Sequence, residues 1–116
     1  MTSFDAKDFR LYVSSVKKWL NILGITEFDV DFKHEQINAA AEVEIDSEAK
    51  TAVFRLTKQA EITVKSLHSV DTLALHEVLH LLMGDLTWAA SKAKERDEII
   101  ISHEHEVINR LIRVIK

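Results

Sequence analysis

The sequence predicts an α+β domain: an N-terminal helix, a three- to four-stranded antiparallel-rich sheet, a buried helix and a C-terminal helix. Three observations carry that prediction. Apolar residues recur at helical spacing through the first segment. Further on, between Phe28 and Thr57, the period drops to two. From Val70 the helical spacing returns in a nearly unbroken apolar stretch.

The first helix is expected from about Asp5 to Leu23. Phe9, Tyr12, Val13, Val16, Leu20 and Leu23 follow the i, i+3, i+4, i+7 rule, and Tyr12 falls on the core side. Ser3 or Asp5 can cap its start, and Gly24 can close its end in a left-handed conformation. Phe28, Val30 and Phe32 then alternate with Asp29, Asp31 and Lys33; Ala41, Val43 and Ile45 alternate with Glu42, Glu44 and Asp46. After the polar turn 47–50 come Val53, Phe54 and Leu56. These runs predict three antiparallel strands in a meander, with Ile62 and Val64 as a fourth strand or a connection. Asp71 is the expected cap of the next helix, which runs through Leu86 and is apolar almost all round, the mark of a buried helix. Residues 89–96 read as a solvated helix or connector. A last helix is expected from Arg96 or Ser102 to Val114, with Ile108, Leu111 and Ile112 inward and Glu106, Arg110 and Arg113 on a polar side.

At 116 residues the chain is one domain, 1–116, with room for one core. Its formal charge is -4, from 15 Lys+Arg against 19 Asp+Glu, which lacks the basic footprint of a nucleic-acid binder. The absence of cysteine removes disulfides, thiol nucleophiles and Cys-ligated metal. No run nears the roughly 18 apolar residues of a membrane span. The charged start, Met1 to Asp8, does not read as a signal peptide, so a cytoplasmic protein is expected.

One motif carries chemistry. His76-Glu77-Val78-Leu79-His80 is H-E-x-x-H within the most apolar helix of the chain. Histidines at i and i+4 lie one turn apart on one face and can reach a single ion. The glutamate at i+1 is placed to take a proton from water at that ion. A chance match somewhere in a chain of this composition has a probability of about 3%. In a core helix these side chains would be costly unless paired or metal-bound. A catalytic zinc needs a third protein ligand and an open position. Gly84 and Leu86 do not continue the motif, so that ligand must come from the cluster 102–106. Glu104 is the first choice from its helix phase, with His105 and His103 as alternatives.

The stretch from Thr72 to Met83, with Glu104-His105-Glu106-Val107-Ile108-Asn109-Arg110-Leu111 behind it, resembles the zincin metallopeptidases. It is most similar to the short gluzincin-like metallopeptidase domains of phage and prophage genomes. The order of helix, strands, active helix and last helix extends the resemblance over nearly the whole chain. The resemblance implies one zinc ion (Zn2+) per chain, His76, His80 and Glu104 as its ligands, and Glu77 as general base. It also implies hydrolysis of a peptide or protein substrate through a zinc-activated water. Larger gluzincins carry an aspartate in their second motif where Ile108 stands here; Asp97, Glu98 and Asn109 are the nearest polar substitutes. By the same resemblance, the strand Thr51 to Lys58 is the expected substrate-pairing edge.

Two rival readings are a non-catalytic zinc clamp between helices and a metal-free adaptor in which the motif is coincidence. Retention of Glu77 favours catalysis over the clamp, because a structural site needs no base. The remaining features are expected to be structural: His34 and His68 exposed or in turns, Trp19 and Trp88 in core or rim packing.

Overall fold

The computed structural model describes residues 2–61 and 69–92, with Glu106, Val107, Asn109 and Arg110. Along the chain lie β1 (Thr2–Ser3), α1 (Ala6–Ile22), β2 (Asp29–His34), β3 (Ala41–Asp46), β4 (Thr51–Leu56), β5 (Gln59–Ala60) and α2 (Val70–Lys92). The architecture is α+β, as the periodicities predict. Glu106, Val107, Asn109 and Arg110 are helical. The rest of the expected last helix, and the possible strand at Ile62 and Val64, lie outside the described residues.

Local chemistry fixes α1 at both ends. Asp5 is the N-cap, accepting from the Asp8 N–H at 2.9 Å, while the Asp8 carboxylate accepts from the Asp5 N–H at 2.9 Å. Each carboxylate thereby satisfies a donor that the first turn leaves free. At the other end Gly24 takes φ 71°, the Gly24 N–H reaches Asn21 O at 3.1 Å and the Ile25 N–H reaches Leu20 O at 2.8 Å. That pair of bonds is a Schellman ending, and the contact it brings together, Leu20 with Ile25, is buried.

The main sheet departs from the expected meander. Its order is β2-β4-β3, with β4 parallel to β2 and antiparallel to β3. The expected edge strand, Thr51 to Lys58, is thus the centre of the sheet, and among the described residues β2 and β3 are its edges. Alternation along a strand fixes which face a residue occupies, not which strand sits beside it. The faces themselves are as the period predicts. Ala52, Phe54 and Leu56 on β4 line the core face beside Val30 and Phe32 on β2 and Ala41, Val43 and Ile45 on β3. Glu42 and Glu44 share the outer face with Arg55, which contacts both. A second, two-stranded sheet pairs β1 with β5, a contact the sequence reading did not foresee. His34 is not in a turn: it ends β2, stacks on Phe9 at 5.0 Å and places Nε2 3.0 Å from Phe4 O.

The helices cover the core face. Tyr12, Val16 and Leu20 of α1 pack with Leu73, Ala74, Val78 and Leu81 of α2 in one cluster with Phe54 and Leu56. Ser69, not Asp71, caps α2: its hydroxyl accepts from the Thr72 N–H at 3.2 Å. Asp71 instead ties the two helices, accepting from Lys18 Nζ at 2.7 Å and Trp19 Nε1 at 3.1 Å. Arg110, expected on a polar side, is 6% exposed and pairs with Glu27. Among the described residues no helix is long and apolar enough to cross a membrane.

The hydrogen bond from Lys18, with that from Trp19, holds the Asp71 carboxyl below its ordinary value. A depressed folded pKa stabilises above the unfolded pKa and is lost as pH falls through the folded one. Asp71→Asn should therefore cost about 0.5 kcal/mol at pH 7, a small figure because both partners are half exposed. Urea unfolding should show that difference vanish in acid below the folded pKa.

Candidate metal centre

The exposure of α2 is more divided than its sequence. Val70, Leu73, Ala74, Val78, Leu81, Leu82 and Ala89 are buried, but Leu79 is 40% and Met83 54% exposed. His76 and His80 lie on this exposed side. The expected burden of two buried histidines is therefore absent, and of the motif's three polar residues only Glu77 is buried, at 6% exposure.

The two imidazoles converge. His76 Nε2 and His80 Nε2 are 2.9 Å apart, with ring centroids at 4.6 Å and planes at 78°. Without a metal, one nitrogen must donate to the other. With a metal, both present lone pairs and the shared proton leaves. Two nitrogens on a tetrahedral zinc at its usual bond lengths stand about 3.3 Å apart, so a shift of a few tenths of an ångström is enough. The donor chemistry thus fits zinc for two of three ligands.

Among the described residues, no third imidazole or carboxylate joins the pair. The expected third ligand, Glu104, and its alternatives His103 and His105 lie outside the described residues, as do Asp97 and Glu98. Asn109 lines a separate hollow with Gly24, Thr26, Glu27, Glu106 and Arg110.

Glu77 turns toward β3. It borders a groove of about 470 Å³ between β3 and α2, with Glu42, Val43 and Ile45 on the strand side and His80, Met83, Gly84 and Thr87 on the helix side. A second hollow of about 370 Å³ continues it past Trp88 and Ser91, sharing Ile45, Gly84 and Thr87. Burial raises the Glu77 carboxyl above its ordinary value; His76 and His80 pull the other way, and Glu42 adds to the rise.

Tyr12 sits beneath this corner. It is fully buried, as its helix phase predicts, and its hydroxyl has no hydrogen-bond partner among the described residues. Burial, then Glu77 and Glu42, push its hydroxyl above the ordinary tyrosine value. The sequence pattern singles out neither Glu42 nor Tyr12 for chemistry, although Glu42 is the first acidic position of a predicted strand. Trp19 and Trp88 keep structural roles: Trp19 bonds Asp71, and Trp88 lies 5.6 Å from Lys50 Nζ on the rim.

No known protein family, curated protein or solved structure matches this chain.

Glu77 makes no hydrogen bond among the described residues, so its buried charge costs stability in the metal-free protein. Glu77→Gln keeps the shape and removes the charge. Without zinc it should raise unfolding stability at neutral pH by about 1 kcal/mol, measured by denaturant titration.

Proposed function

We propose that this chain is a cytoplasmic zinc-dependent metallopeptidase. One observation carries the reading: two imidazole nitrogens converge at 2.9 Å on an exposed helix face, and the glutamate between them is buried and opens onto a groove.

His76 and His80 would hold the zinc, with Glu104 as the proposed third ligand. When bound, the ion supplies Lewis acidity, acidifying a water and polarising a scissile carbonyl. Glu77 does the proton work. Its carboxylate takes a proton from the attacking water and passes it to the leaving amine nitrogen. A site with little water around it makes that carboxylate a stronger base than an exposed one, and burial of Glu77 acts in this direction.

The substrate is best held by β3. Among the described residues this strand is an edge of the sheet, and it forms one wall of the groove. An extended peptide added beside it would gain main-chain hydrogen bonds and lie across Glu77 and His80. The central position of β4 removes it from that role.

Exposure weighs against a zinc clamp. A structural zinc ties elements together with a closed set of ligands. Here both histidines come from one helix and face outward, where an ion would add little to the packing.

Elemental analysis should find about one zinc per wild-type chain and none bound stably by His80→Ala. Glu77→Gln should keep its zinc yet lose hydrolysis of a peptide substrate by roughly a hundredfold or more. No zinc in the wild type, after supply without chelators, overturns the reading. So does full hydrolysis by Glu77→Gln.

A further inference from the structure

The groove along β3 and α2 has two ends of different chemistry. Glu42, Glu77 and His80 stand at one end; Ile45, Gly84 and Trp88 line the other. Gly84 forms floor common to both. A Cβ built there would lie 3.0 Å from Ile45 Cδ1, so a bare backbone at this point lets helix and strand approach without filling the trough.

The acidic end has charge to spare. Arg55 reaches Glu35 at 2.8 Å and Glu44 at 3.0 Å, but Glu42 only at 3.4 Å. Glu42 therefore shares its cation with two closer carboxylates. Its side chain remains 44% exposed. Beside it, Glu77 is a nine-tenths buried carboxylate that lines the groove and has no hydrogen bond among the described residues.

Strand geometry turns these two ends into a spacing rule. Successive side chains of an added strand point to opposite faces of the sheet. A residue opposite Ile45 faces α2 and enters the hollow beside Gly84, Thr87 and Trp88. A residue opposite Glu42, three positions away, points to the outer face and stands directly across from that carboxylate, where opposite charges attract. That face is turned away from His76 and His80, so a cation there does not compete with a bound metal.

We propose that the groove selects extended peptides with a lysine or arginine three residues from a large apolar residue, Glu42 reading the base and the Ile45–Gly84–Trp88 hollow seating the apolar side chain. The proposal rests on the peptide reading above, and it is tested by binding rather than cleavage.

The probes are fluorescent ten-residue peptides on a Gly/Ser background, each with one Lys and one Leu three positions apart, in both orders. Companions replace Lys by Glu, replace Leu by Ser, or shorten the spacing to two. Anisotropy is read on the full chain carrying Glu77→Gln, loaded with zinc so that nothing is cut. The Lys–Leu peptide of one order should bind roughly fivefold tighter than each companion. Adding Glu42→Lys, an exposed change whose fold is checked by circular dichroism, should reverse the preference toward the Glu peptide. Equal binding of the Lys and Glu peptides, or an order unchanged by Glu42→Lys, overturns the proposal and leaves the peptide reading standing. Binding of no peptide at all overturns both.

Discussion

Ala74, Val78, Leu81 and Leu82 fix the rotation of α2 about its own axis, because all four are almost fully buried against α1 and the sheet. A helix turns about 100° per residue, so anchoring these positions leaves no freedom for the others. His76, His80 and Met83 are carried to the outside. Glu77, one residue before Val78, is carried to the rim, roughly 60° from the middle of the buried face. Gly84, Thr87 and Trp88 follow on the same side as Glu77 and define the helix wall of the groove. The candidate centre is thus a consequence of core packing: the motif's outward ligands and inward base are set by residues that do no chemistry.

A second constraint places the strand wall. β2 carries Asp29, Asp31 and Lys33 on its outer face, and β3 carries Glu42, Glu44 and Asp46. β4 carries Thr51, Val53 and Arg55 there, and its core-side residues Phe54 and Leu56 are fully buried. Charged side chains are common on edge strands, where they discourage unwanted pairing. The strand with the fewest charges, β4, sits between the other two. Within the β3–β4 turn, Lys50 takes φ 58°, an uncommon conformation for lysine, and reaches the buried Asp85 at 3.0 Å, with the Phe28 and Trp88 rings 5.0 and 5.6 Å from its Nζ. That tie holds the β3–β4 turn against the later turns of α2 and keeps the far end of the groove in register.

How far the sequence is legible follows from what periodicity encodes. It encodes faces. Tyr12, Val16 and Leu20 inside, Glu42 and Glu44 outside, and two imidazoles on one helix face are all visible in spacing alone. It does not encode neighbours, so the parallel pairing of β2 with β4 is not legible in spacing, although the charge contrast between strands is a usable signal. Composition also misled at α2. Leu79 and Met83 made the helix look buried all round, yet both are exposed, because an apolar residue at the surface is common. Capping was ambiguous between Ser69 and Asp71, and the choice fell to Ser69 once Lys18 and Trp19 engaged Asp71.

The distribution of unmet polar groups separates this corner from the rest of the fold. Thr57 is fully buried and bonds Ile37 and Gln59; Asp85 pairs with Lys50; Arg110 pairs with Glu27. Each of these follows the rule that a buried polar group brings its partner with it. The Tyr12 hydroxyl breaks that rule among the described residues, and Glu77, on the other helix, is buried without a hydrogen bond to them at the edge of the groove, both within reach of the Glu42 charge. Leucine and phenylalanine would fill the two positions at lower cost. One orphaned hydroxyl and one buried carboxylate thus lie together beside a convergent histidine pair. Such local exceptions are expected where a side chain is kept for what it does to a ligand rather than for the stability it gives.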